Sequence, residues 1–173
     1  SDSGSQATYQ LSAMDRARIQ DRVSTLYGGY DFVVVDGGPG IEGAVRATLG
    51  ASRMAVVTVP EPAALSDAYA LIKIVHLQMP SVATDVLVNR TAAPGECEAV
   101  FERLALGVRK FLRRDITLLG EVPEDDAVGR AVRSPSRLLE TTGAAAEAVD
   151  RIAARLALVP ATPETPTETE CPA

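Results

Sequence analysis

Four apolar runs set between stretches of helical period constrain this chain more than any other feature. They are Phe32–Val35, Met54–Val59, Val86–Val88 and Ile116–Val122. As a set they are continuous rather than alternating. A strand of continuous Val, Ile and Leu is covered on both faces, as in a parallel sheet. The intervening segments have the length and period of crossover helices. Ser12 is placed to cap the first, with Asp15 three residues on as a capping-box variant. Ile19, Val23, Leu26 and Tyr27 then fall on one helical face, and Gly28-Gly29 ends the segment. Further helices are expected over 41–49, 64–78, 96–112, 125–140 with a break near Pro135, and 144–158. Along 96–112 one face carries Val100, Leu104, Val108 and Phe111.

The expectation is an α/β fold of three layers, with at least four parallel strands and helices on both faces. Composition agrees: the chain is 46% hydrophobic but only 4% aromatic, so its core is built from Ala, Val, Leu and Ile. In such sheets function gathers at the carboxyl ends of the strands. Those ends carry Asp36, Pro60-Glu61-Pro62, Asn89-Arg90 and Pro123-Glu124-Asp125.

Several function classes are excluded or disfavoured. A net charge of −6 argues against a nucleic-acid surface. One histidine, His76, and two distant cysteines, Cys97 and Cys171, give no material for a zinc site or a His-based triad. His76 reads as a packed or surface residue. The cysteine count favours a reducing compartment, and no apolar run reaches the ~18 residues of a membrane span. The expected location is cytoplasmic. The last helix, with Val149, Ile152, Ala153, Leu156 and Val159 on one side, is expected to pack on the sheet rather than bind membrane, since an acidic tail follows it. Arg109, Lys110, Arg113 and Arg114 form a basic cluster that a helix carboxyl end accommodates. Residues 1–10 read as disordered or as the remnant of another element, 11–159 as the domain, and 160–173 as a disordered Pro/Thr/Glu tail.

The loop after the first apolar run admits three readings. Gly38, Gly40 and Gly43 spell the G-x-G-x-x-G dinucleotide fingerprint, with Glu61 where a ribose-binding acid would stand. Against it, Asp36 repels a pyrophosphate and Pro39 removes a backbone donor. A P-loop needs glycine and lysine together, and neither Lys73 nor Lys110 follows a glycine. The third reading makes Asp36 the acid of a metal–nucleotide site, at the end of an apolar strand, with Gly40 as the γ-phosphate donor. Beside it stands a plain alternative: Asp36 caps the helix at 41 and the glycines only make a tight turn.

Longer stretches carry a resemblance. Residues 30–40, Y-D-F-V-V-V-D-G-G-P-G, resemble the switch segment of MinD/ParA-type ATPases, the deviant Walker A class. Residues 61–73, E-P-A-A-L-S-D-A-Y-A-L-I-K, are similar to a run of the FlhG/FleN-like branch, which regulates flagellar number and placement. Residues 11–18, Val88-Asn89-Arg90 and 120–132, G-E-V-P-E-D-D-A-V-G-R-A-V, match the same family in the same order. The resemblance implies a P-loop NTPase-like fold of the MinD type and ATP or ADP with Mg²⁺. It implies that Asp36 holds Mg²⁺ through water and that Gly40 sits near the γ-phosphate. Asn89, Arg90, Pro123 and Glu124 would contact the base or ribose, and Glu61, Pro62 and Asp67 would lie towards a dimer face. It further implies a homodimer, a flagellar or polarity partner, and at most peripheral contact with the inner membrane face. Two departures matter. Gly37 and Gly38 stand where the family commonly has Thr and Pro, which loosens the switch. The family's K-G-G-x-G-K-[S/T] loop does not occur in these 173 residues. The expectation is the carboxyl-terminal portion of such an ATPase, inactive by itself. The alternatives are a non-catalytic interaction module of the same family and a Rossmann-type dinucleotide protein.

Overall fold

The computed structural model describes residues 12–38, 40–132 and 142–158. The expected disordered ends and the break near Pro135 lie outside them. In chain order the elements are α1 Ala13–Tyr27, α2 Ile41–Ala47, β1 Arg53–Thr58, α3 Pro62–Gln78, β2 Ala83–Thr91, α4 Glu96–Leu112, β3 Thr117–Pro123, α5 Asp126–Val132 and α6 Ala144–Leu158. Among the described residues the sheet has three parallel strands in the order β1-β2-β3. The expectation of four is corrected at one place. Phe32–Val35 has no regular secondary structure and pairs with no described strand, so it is not a strand among the described residues. A sheet strand requires a neighbour for its N–H and C=O groups, and no described strand lies beside this segment.

Two βαβ units make the core. Val86 and Val88 of β2 are fully buried beneath Ile72 and Val75 of α3 and Val100, Leu104 and Val108 of α4. Val45 of α2 and Met54 and Val56 of β1 complete the same cluster. The opposite face is covered by α6, but only over β3. A bulge sets Val86 opposite Leu118 and Leu87 opposite Gly120, so Leu87 and Gly120 share the far face. There Ile152 of α6 lies against Gly120, where an added Cβ would meet its Cγ1 at 3.0 Å. The three-layer architecture therefore holds over β3.

It does not hold over β1. Met54, Val56 and Thr58 point into the core, while Ala55 and Val57 are exposed. The expectation that every strand is covered on both faces fails here. Two helix faces also differ from expectation. Phe111 is 67% exposed, beyond the buried Val100–Leu104–Val108 stripe of α4. Leu26 and Tyr27 of α1 are exposed although Ile19 and Val23 are half-buried.

Polar groups in the fold are mostly answered. Ser12 caps α1 as expected, accepting the Asp15 N–H at 3.1 Å. At the lower end of the sheet Arg53 grips the buried Asp85 with two bonds, Nε to Oδ2 at 2.9 Å and Nη2 to Oδ1 at 2.7 Å. That bidentate geometry offsets the cost of burying the carboxylate and ties β1 to β2. Cys97 is buried in the core, and burial, then Glu121 and Glu98, push its thiol up to about 11. It is a packing residue, not a nucleophile.

His76 is less well served. Nε2 meets Thr84 Oγ1 at 3.0 Å, while buried Nδ1 has no partner among the described residues. Burial, with Arg114 nearby, lowers its pKa below 6.5. The unfolded chain then binds the proton first on acidification, so the contribution of neutral His76 is present above pH 6.5 and lost as pH falls through the folded pKa. The urea midpoint should fall between about pH 7 and 5. His76→Gln should have a shallower slope over that window, and equal slopes would contradict the assignment.

Candidate functional site

The parallel register brings the carboxyl ends of the strands to one edge: Thr58 lies opposite Val88, Asn89 opposite Val122, and Thr91 opposite Pro123. Beyond β2 and β3 the chain opens a cleft of about 680 Å³ lined by Thr91, Pro123, Glu124, Asp125, Arg130 and Gly143, among others. Pro123 and Glu124, both expected at the site, line it. The Glu124 N–H donates to Thr91 O at 2.9 Å and extends the strand pairing into the rim. Arg90 takes a left-handed conformation, φ 60°, and its own N–H donates to Asn89 Oδ1 at 3.0 Å. That turn sends the guanidinium across to Glu124 Oε1, 3.1 Å away. Both partners are more than half exposed, so the pair shapes the rim more than it stabilises the fold.

Asp125, which the sequence marked only as a strand-end residue, is the most connected carboxylate of this edge. It accepts the Ala127 N–H at 2.8 Å and the Ala145 N–H at 3.2 Å. These two donors, with Arg130 adding to them, hold its carboxyl below the ordinary aspartate range. Ala145 is twenty residues away, so no local motif announces this bond.

Asp36 and Gly40 lie in the loop that leads into α2. Asp36 is exposed, and its Oδ1 accepts the Gly38 N–H at 2.9 Å in a tight side-chain turn. It does not cap the following helix: the N-cap of α2 is Gly40, φ 89°, with no side-chain bond. The plain reading of Asp36 as a helix cap is thus replaced by an open carboxylate on a glycine turn. The third fingerprint glycine has a packing reason. A Cβ on Gly43 would strike the carbonyl oxygen of Gly37, so α2 lies directly on the loop. No paired strand feeds the G-x-G-x-x-G, and α2 is seven residues long. A dinucleotide site has neither its strand nor a full helix here.

The expected dimer-face residues sit at the start of α3. Glu61 is the N-cap position, Pro62 opens the helix, and Asp67 is exposed one turn on. Pro62, with Leu65, Ser66, Tyr69, Arg103 and Gly107, lines a shallow groove of about 230 Å³ between α3 and α4. Thr58, at the end of β1, is 4% exposed and its hydroxyl has no partner among the described residues.

No protein-family model matches the sequence. Relatives do. Antiactivator FleN of Pseudomonas aeruginosa is 30% identical over 139 residues, which cover 80% of this chain and 50% of FleN. Flagellum site-determining protein YlxH of Helicobacter pylori is 32% identical over 130 residues, covering 73% of this chain and 44% of YlxH. The MinD cell division protein of Aquifex aeolicus has the same fold, with a TM-score of 0.64 at 22% identity over 82% of this chain and 60% of that one. The chain belongs to the MinD/ParA-like family, on its FlhG/FleN-like side. It spans about half the length of the curated relatives it matches.

A magnesium nucleotide would find few metal ligands in this chain. Among the described residues no cluster of three His, Cys, Asp or Glu could hold a metal. Asp36 alone suits Mg²⁺ only where phosphate oxygens and waters complete the shell, which is how this hard cation is ordinarily bound at nucleotides. The cleft at Pro123–Glu124 has room for a base. The lysines do not serve phosphates: Lys73 and Lys110 are exposed on α3 and α4, and Lys110 lies over the Phe111 ring at 5.3 Å. Of the residues expected at such a nucleotide, Asp36 is exposed and Pro123 and Glu124 line a cleft, and neither lysine stands with them. No described helix is long and apolar enough to cross a membrane.

Next to Asp36 the apolar run is bare. Val34 is 91% exposed and Val35 59%. Replacing Val34 with Lys in this chain should change unfolding free energy by less than about 0.5 kcal/mol and reduce binding of a hydrophobic fluorescent dye. A loss of several kcal/mol would mean that Val34 is packed.

Proposed function

We propose that this chain is the carboxyl-terminal portion of a FlhG/FleN-like ATPase that regulates flagellar number or placement through ATP-gated dimerisation. The observation that carries the reading is that the chain has both an exposed carboxylate on a glycine turn and, beyond the carboxyl ends of β2 and β3, an open cleft. Asp36 is free of helix-capping duty and Pro123 and Glu124 line the cleft. The names of the relatives, an antiactivator and a flagellum site-determining protein, support the flagellar role.

In this reading each group has one task. Asp36 would hold the hydrated cation, and the Gly40 N–H would be the donor to the terminal phosphate. Asn89, Arg90, Pro123 and Glu124 take the base and ribose, with Arg90 held at the rim by Glu124. Glu61, Pro62 and Asp67 face the second protomer. A bound Mg²⁺ nucleotide supplies the charge that phosphoryl transfer must stabilise. The lysine-bearing loop that neutralises the phosphates comes from a segment preceding this chain. Support for that segment is physical: Val33–Val35 are exposed, Val57 is 61% exposed, and no described strand lines the outer edge of β1. Apolar surface of this kind is expected to be covered.

The decisive variant is Asp36→Asn in the full-length protein. ATP turnover should drop by about 100-fold or more, with ADP affinity changed by less than about threefold because the base-side cleft is untouched. Cells carrying only the variant should show an altered number of flagella. Unchanged turnover would remove Asp36 from the site, and a normal flagellar count alongside lost turnover would remove the flagellar role.

A further inference from the structure

The carboxylate of Asp125 joins two helices that are separate in sequence. Oδ1 accepts the N–H of Ala127 in the first turn of α5, and Oδ2 accepts the N–H of Ala145 in the first turn of α6. Each helix would otherwise present unpaired N–H groups and a positive pole at this place. One side chain answers both. The approach is tight enough that a Cβ on Gly143 would collide with Oδ2, so a larger residue there would push the carboxylate off the Ala145 N–H. Asp125, Asp126, Gly143 and Ala144 all line the cleft beside Pro123 and Glu124. α6 is seated on β3 by its buried Ala145, Ala146, Ala148 and Ile152, and the Asp125 carboxylate ties its first turn to that of α5 at the cleft.

The electrostatic effect follows from the same contacts. Two helix N-termini at a cleft are ordinarily a place for an anion. Here the Asp125 carboxylate takes up an N–H group of each, and Glu124 and Asp126 add two negative charges against Arg130 and the Arg90 that pairs with Glu124. Phosphate would meet carboxylates where it needs donors. A neutral ring with donor groups would not.

We propose that Asp125 is the positioning residue of this cleft. It locks α5 and α6 together through a double cap and closes the cleft to phosphate, so that the cleft admits the neutral end of a ligand. The ligand part of this inference rests on the nucleotide reading above; the double cap does not.

The test uses the full-length protein with Asp125→Asn, Asp125→Ala and Gly143→Ala, probed with adenosine and with inorganic phosphate. Amide exchange at Ala127 and Ala145 should quicken by about tenfold in Asp125→Ala, while core amides such as Val86 and Val88 keep their protection. Asp125→Asn has one acceptor oxygen left and should release one of the two amides, not both. Gly143→Ala should release Ala145 and spare Ala127, a selectivity that general unfolding cannot mimic. Adenosine affinity should fall by about tenfold in Asp125→Ala, and phosphate should newly perturb the Ala127 and Ala145 amide signals. Unchanged exchange at both amides in Asp125→Ala overturns the double cap. Exchange that quickens without any gain in phosphate contact overturns the screening claim. Quickened exchange in Asp125→Ala, together with no adenosine binding by the parent protein, supports the double cap and overturns the nucleotide reading instead.

Discussion

The packing of α3 and α4 onto the Val86–Val88 face of the sheet is the interaction on which the rest depends. Ile72, Val75, Val86, Val88 and Val108 are the most completely buried large side chains of the molecule. Their contact fixes both crossovers on one side of the sheet, which in turn fixes a parallel register. That register is what assembles a site. It sets Thr58, Asn89, Thr91 and Pro123 along one edge, although they are distant in the chain. The polar chemistry follows from an apolar constraint.

The same constraint is met on only part of the surface. Over β3 the far face has α6, with Ile152 against Gly120. Over β1 the far face and the outer edge are open, and the Val33–Val35 run next in sequence to Asp36 is open too. Apolar residues of this density are selected for burial. Under the proposed function the metal side would draw on Asp36, beside the bare apolar run, and the base side on the cleft at α5 and α6. Asp125 belongs to that cleft, where one carboxylate ties the first turns of the two helices together.

How far the sequence could be read depended on whether the deciding contact was local. The bounds of α4 and α6 follow from turn residues and period alone, and the Ser12–Asp15 cap was legible in four residues. The three parallel strands were legible because their neighbours are in the chain. Phe32–Val35 was misread as a strand for the opposite reason: propensity favours one, but pairing is a tertiary requirement that no described residue meets. Phe111 was assigned to the buried stripe by period, yet α4 runs past the edge of the core before it. Within the site, Asp36 and the Pro123–Glu124 corner stood out as strand-end residues. The double cap did not, because its second partner, Ala145, lies twenty residues on. The Arg90–Glu124 pair spans 34 residues and was equally silent. Gly43 carried a misleading signal, since close approach to Gly37 explains it without any dinucleotide.

The central claim is that this chain holds the metal and base sides of a nucleotide site and lacks the phosphate side. A calorimetric titration of ATP with Mg²⁺ into the chain alone, with phosphate release followed in parallel, tests it most directly. The account predicts no saturable binding in the micromolar range, weaker than about −8 kcal/mol, and no turnover. Saturable micromolar binding with release of phosphate would contradict it.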